Sequence, residues 1–133
     1  MILVAAGIIA KGDRILVTRR PEGNWMGGYW EFPGGKLEGN EDPRDGLARE
    51  LREELNIEVA IGAVEDVILH RYSDRTVLLI FYRCSLPDGN PRGQLGQELK
   101  WATLEEMEEL PFLPADLPLL ERLKGESPGE RRR

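Results

Sequence analysis

The chain has 133 residues, 41% hydrophobic and 32% charged, with a formal net charge of −6. That is about one domain, long enough to bury a core without disulfide or metal staples. No apolar run approaches the roughly 20 residues of a membrane span, and an acidic body is poor bait for a nucleic-acid backbone, so neither a membrane nor a nucleic-acid polymer is expected as a partner.

The N-terminus, MILVAAGIIAKGDR, is apolar at once, with no basic segment ahead of it. This argues against a secretory leader and for a first β-strand. ILVAAGIIA and RILVTRR are β-branched runs split by Lys11-Gly12-Asp13, a turn signal, and read as a hairpin. PEGNWMGG is a polar loop, and YWEFPGG a short strand ending in a Pro-Gly-Gly turn. Asp42, followed by Pro43 at a first helical position, starts a helix that runs to about Leu55. Asn56 then suits a left-handed cap.

EVAIGAVEDVILHRY and TVLLIFYRCSL are two more strands, and PDGNPRGQLGQ is a loop. ELKWATL is a last strand running into the short acidic helix LEEMEEL, and a further helix is expected from about Ala115 to Leu123. Residues 1–124 are expected to form one domain and residues 125–133 a disordered tail. Mixed strands and helices with hairpin links imply an α/β or α+β sandwich with a mixed sheet. The single cysteine, Cys84, has no partner for an internal disulfide and sits in an apolar run. It suits a reducing cytosol, hence a cytoplasmic protein, and reads as a buried side chain rather than a nucleophile.

The helix from Asp42 crowds its carboxylates. With Glu50 set to zero on a helical wheel, Glu53 falls at about −60° and Glu54 at about +40°, while Leu47, Ala48, Leu51 and Leu55 fall between roughly 60° and 160°. The three acids form one stripe at the edge of the core. Like charges at i,i+3 and i,i+4 each cost a few tenths of a kcal/mol. Carboxylates near a helix C-terminus cost about 0.3–1 kcal/mol apiece. A solvated face is the ordinary reading of such a run, with Arg49 and Arg52 offsetting part of the cost. A divalent cation would resolve it, since Mg²⁺ takes oxygen ligands and keeps waters and phosphate oxygens in its shell.

Gly35, Glu41 and the run RELREELNI (49–57) resemble the Nudix box, G-x5-E-x7-R-E-U-x-E-E-x-G-U with U apolar. Gly35, Glu41, Arg49, Glu50, Leu51, Glu53, Glu54 and Ile57 fit it; Asn56 stands where the family usually has Gly. The resemblance extends over about residues 2–123 and is strongest to the MutT / CTP pyrophosphohydrolase branch. It implies a Nudix-type α/β/α sandwich with a mixed β-sheet. It further implies a Mg²⁺-dependent nucleoside triphosphate pyrophosphohydrolase, with Mn²⁺ able to substitute, in which water attacks the β-phosphorus to give NMP and pyrophosphate. A nucleotide-pool sanitising, DNA-repair-linked role on 8-oxo-dGTP or CTP/dCTP-type substrates follows. The expected assembly is a monomer or weak homodimer. Hydrolysis of ADP-ribose, a sugar-nucleotide or a dinucleotide is the second reading, and a non-catalytic nucleotide sensor the third.

The resemblance assigns Glu50, Glu53 and Glu54 as metal ligands, with a carbonyl of Gly34 or Gly35. Glu53 or Glu50 is implied as general base, and Arg49 as the group orienting them. Glu41 is implied as a weaker, outer ligand or a loop anchor. A further acid expected six residues before the last strand's Trp is replaced by Leu95, and Glu98 is the nearest substitute ligand. Arg20 and Lys36 are candidate phosphate contacts. The base pocket is sought among Tyr29, Trp30, Phe32, Arg75 and Asp116. Trp30 and Phe32 are expected on opposite sides of their strand, so that at most one stacks on a base. Asp116 either reads the base edge or caps the last helix.

Overall fold

A computed structural model describes residues 1–86 and 88–126. Its strands are β1 (Ile2–Lys11), β2 (Arg14–Arg19), β3 (Trp30–Glu31), β4 (Gly34–Lys36), β5 (Ala60–Arg71), β6 (Thr76–Ser85) and β7 (Leu99–Ala102). Its helices are α1 (Pro43–Leu55), α2 (Leu104–Glu108) and α3 (Leu117–Gly125), the last preceded by a 3-10 turn, Pro114–Asp116.

The strands lie in the order β3-β2-β1-β6-β5, with β4 added on β1 and β7 on β2. β1 and β2 form the expected hairpin, closed at Lys11–Arg14, with Gly12 at φ +63° in the turn. β1 runs parallel to β6 and antiparallel to β4, so the sheet is mixed.

Side-chain alternation along each strand feeds two cores. Ala5 and Ile9 of β1, Leu16 of β2 and Tyr82 of β6 pack against Leu47, Leu51 and Leu55 of α1. Their neighbours Ala6, Ile8, Ile15, Val17, Leu79 and Phe81 pack the other way, against Met107 of α2 and Leu119, Leu120 and Leu123 of α3. The result is an α/β/α sandwich. The three leucines of α1 are at most 1% exposed, so truncating any one to Ala costs about 2–5 kcal/mol. That packing fixes α1 in depth and rotation, and with it the acidic stripe.

Both ends of α1 are set as the sequence indicates. The Asp42 side chain accepts the Arg44 N–H at 2.8 Å, with Pro43 in the first turn. Asn56 is left-handed, at φ 55° and ψ 44°, and donates its N–H to the Arg52 carbonyl. The carbonyls of Glu54 and Leu55 accept the N–H groups of Gln94 and Arg92, at 2.9 and 3.0 Å. The loop before β7 is thereby hung on the end of the acidic helix. At the C-terminus, α3 reaches Gly125, and Glu126 accepts a 2.7 Å hydrogen bond from Arg122. Residues 127–133 of the expected tail lie outside the described residues. The last helix starts two residues later than expected. Its first residues form the 3-10 turn, and Pro118 sits in the first turn of α3, where a missing N–H is tolerated.

Candidate active site

A cleft of about 410 Å³ opens between the α1–β4 side of the sheet, the loop after β2 and the turn before α3. Glu50 and Glu54 line it, one turn apart on α1. Glycine at 35 makes this possible: a Cβ there would collide with the Glu50 carboxylate. Burial raises the pKa of Glu50 above the usual carboxylate range. Burial, then the charges of Glu50 and Glu31, push Glu54 up to about 7. Among the described residues no ion pair reaches Glu54, and Glu50 is paired only with Arg49.

Glu53 lies outside the cleft lining and is largely exposed. Arg49 is the hub behind the cleft. Its guanidinium bonds Glu41 at 2.8 and 3.1 Å, Glu50 at 3.1 Å, Glu53 at 3.1 Å and the Lys36 carbonyl at 3.3 Å. Glu41 also accepts the Glu38 N–H at 2.8 Å. The Arg49 hydrogen bonds, helped by that N–H, hold Glu41 down at about 2. Glu41 is thus the anchor of Arg49 and of the loop before α1.

The opposite end of the cleft is built around Asp116, only 2% exposed. Its carboxylate accepts the Phe32 N–H at 3.0 Å and no helix N–H, so the capping role expected as one alternative is not realised. Burial, with Glu31 nearby, raises its pKa well above the usual range. Glu31 receives two 3.1 Å hydrogen bonds from Arg20, yet burial still pushes it up to about 7. Arg20, read from sequence as a phosphate contact, spends its guanidinium on Glu31 and on the Trp25 carbonyl at 2.9 Å.

Lys36, Arg75, Gly34, Gly35 and Phe32 also line the cleft. Trp30 does not: it is 6% exposed, inside the α3-side core. The expectation that Trp30 and Phe32 face apart is corrected as well. Residues two apart on an extended chain share a side, and both rings lie in that one core. Tyr29 is on the surface, outside the lining. Glu98, proposed from sequence as a ligand, is also outside; its carbonyl accepts the Arg19 N–H and its exposed carboxylate pairs with Arg19 at 3.7 Å. Leu95 stands on the rim, 72% exposed. Trp25, Glu31, Tyr72 and Gln97 are lining residues that the sequence reading passed over. A tryptophan in an otherwise polar, glycine-rich loop was the one available signal.

The donor set fits a hard divalent cation. Among the described residues no three His, Cys, Asp or Glu side chains converge as a closed metal shell. An ion beside Glu50 and Glu54 would complete its shell with main-chain carbonyls, water and phosphate oxygens, as Mg²⁺ does.

The NUDIX domain family model matches residues 4–122, and the chain belongs to that family, whose members hydrolyse phosphoric anhydride bonds and in general use a divalent metal. The chain is 41% identical to the CTP pyrophosphohydrolase of Escherichia coli over 123 residues, 91% of this chain and 90% of that one. It is 45% identical over 80 residues to an 8-oxo-dGTP diphosphatase of Proteus vulgaris, 59% of this chain and 71% of that one. The solution structure of the E. coli ORF135 protein superposes with a TM-score of 0.79 at 39% identity, covering 94% of this chain and 89% of that one. Among the described residues no helix is long and apolar enough to cross a membrane.

Proposed function

We propose that the protein is a Mg²⁺-dependent nucleoside triphosphate pyrophosphohydrolase of the nucleotide-pool sanitising kind, acting in the cytoplasm on 8-oxo-dGTP or CTP/dCTP-type substrates. The observation that carries this reading is one cleft with two kinds of end. Glu54 faces it with no ion pair among the described residues, Glu50 faces it with Arg49 on its Oε1 alone, and the buried carboxyl of Asp116 waits at the other end. A metal–polyphosphate complex supplies the positive charge the first end lacks. A base edge supplies hydrogen-bonding partners for the second.

Glu50 and Glu54, with a Gly34 or Gly35 carbonyl, would hold the ion, which neutralises phosphate oxygens and lowers the pKa of a bound water. Water attacks the β-phosphorus; the new P–O bond forms as the bridge to the α-phosphate breaks, leaving pyrophosphate and NMP. Of the two acids implied as general base, Glu53 and Glu50, the cleft lining favours Glu50 as the one that takes the proton from that water. Arg49 holds Glu50 and Glu53 in orientation by charge-assisted hydrogen bonds. Lys36 is available to the phosphates as a point charge.

The test is a nucleotide panel with Mg²⁺, ranked by kcat/KM and scored for pyrophosphate against phosphate. Pyrophosphate release from at least one nucleoside triphosphate, abolished by chelator, is expected. Nucleotide that raises Tm but yields no product would instead make the protein a sensor.

A further inference from the structure

We propose that the Trp25 indole is the platform on which the substrate's base stacks, and that Arg75 is a movable cover closing over the base's outer face. The inference rests on the nucleotide reading above and assigns a residue that reading does not use.

Trp25, in the loop after β2, is held by its own loop and by the β5–β6 turn. The Arg20 Nε donates to its carbonyl at 2.9 Å. The Tyr72 ring meets it edge-on, centroids 4.8 Å apart at 87°. The Arg75 guanidinium lies 4.1 Å over its ring, and that of Arg20 5.5 Å away. Trp25 is therefore held in place at the cleft wall, and a fixed aromatic face is what a base-binding site requires.

The two cations differ in freedom. Arg20 is tied to Glu31 by two 3.1 Å hydrogen bonds, which hold its guanidinium in place. Among the described residues the Arg75 side chain hydrogen-bonds only Asp74, its own neighbour on the exposed β5–β6 turn. The Arg75 side is the one that can open. At 4.1 Å guanidinium and indole are in contact, so a flat ring enters only if the guanidinium lifts; it then covers the ring's far side, since guanidinium planes stack on bases as aromatic rings do.

The same place presents a polar edge. The Tyr72 hydroxyl accepts the Ala115 N–H at 3.1 Å, which ties the aromatic contact at Trp25 to the turn carrying Asp116. A flat ligand with a hydrogen-bonding rim can thus lie face-on to Trp25 and edge-on to Asp116. A nucleobase has that shape and chemistry.

The experiment compares wild type with W25A, W25F and R75A. It measures KM for the best nucleotide of the panel and Ki for Mg²⁺-loaded inorganic tripolyphosphate, which carries no base. W25A is expected to raise KM by about tenfold or more, the worth of one base stacked on an aromatic ring, with the tripolyphosphate Ki unmoved. W25F recovers most of the loss because a phenyl face also stacks, and R75A raises KM by less than W25A. An unchanged KM in W25A overturns the proposal. So does a parallel shift of KM and the tripolyphosphate Ki, which would make Trp25 a loop staple. If wild type hydrolyses no nucleotide, the activity reading fails by itself. The platform is then read by nucleoside titration of indole fluorescence: quenching in wild type that is lost in W25F upholds it, and no quenching overturns it.

Discussion

Two groups of carboxylates meet at the acidic helix and its cleft and behave differently. The outer group, Glu38, Glu41 and Glu53, gathers round the Arg49 guanidinium. It has its cation already, and Glu41 is held far on the ionised side. The inner group, Glu31, Glu50, Glu54 and Asp116, lines the cleft, and burial makes ionisation costly for all four. Helix, charge type and spacing alone do not separate Glu53 from Glu54. The difference is what each faces: Arg49 and solvent for the outer acids, the cleft for the inner ones, although Arg49 also reaches Glu50 and Arg20 pairs with Glu31.

The sharpest way to break this contrast is by activity. E54Q and E50Q are expected to lower kcat/KM by two or more orders, in line with the roughly 10²–10⁴ carried by a general acid–base group. E41Q is expected to lower it less, through Arg49. Equal losses in steady-state assays of the three variants would erase the distinction between groups.

Next in size is Asp116. Because it satisfies the buried Phe32 N–H, D116A leaves that donor unpaired and costs about 1–3 kcal/mol, visible as a lower Tm. D116N keeps an acceptor, so its Tm should stay near wild type while the ratio of kcat/KM between nucleobases shifts. A D116N enzyme with unaltered base preference would confine Asp116 to structure.

Acidity separates the groups again, with opposite sign. Glu31 and Glu54 titrate near 7 when folded against 4.5 otherwise. The folded state therefore binds more protons between those values, and stability contributed by these groups falls as pH rises from about 4.5 to 7. Glu41, lowered from 4.5 to about 2, contributes stability above 4.5 that is lost as pH falls towards 2. Metal-free protein should melt at a lower temperature at pH 7.5 than at pH 5.5 on account of the inner acids, and added Mg²⁺ should narrow the gap. A metal-independent pH profile of Tm would count against an ion at Glu50 and Glu54.

The smallest effect tests the helix end that carries the inner acids. N56A forces a side chain without local hydrogen bonding into the left-handed region and is expected to cost about 1 kcal/mol, roughly 4 °C in Tm. N56G should be close to neutral.

Much of this was legible in one dimension. Helix periodicity and the Asp42-Pro43 start place α1 within a residue of its observed span, and the left-handed Asn56 follows from its being the best non-glycine residue there. The spacing of Gly35 to Glu54 identified the acid end of the cleft, because those residues are close in sequence and fixed by one helix. The base end was not legible in the same way. Phe32 and Asp116 are 84 residues apart, and Trp25, Tyr72 and Arg75 meet only because two loops fold over one strand end. The Glu31–Arg20 pair diverted an arginine that the sequence offered to phosphate. Glu98 stands outside the cleft lining, with Arg19 on its carbonyl and, at 3.7 Å, on its carboxylate.

The loop before β7 is tied to the acidic helix at several points. Gln94 and Arg92 hold the terminal carbonyls of α1, and the Gln97 amide reaches the Glu54 carbonyl at 3.4 Å while its oxygen accepts the Leu95 N–H. Rim and acidic helix are one mechanical unit. Grafting this loop from a relative to alter selectivity would also reset the pitch of Glu54. Loop and helix substitutions should then combine non-additively in double-mutant cycles, and a library that varies the rim alone would sample altered chemistry along with altered fit.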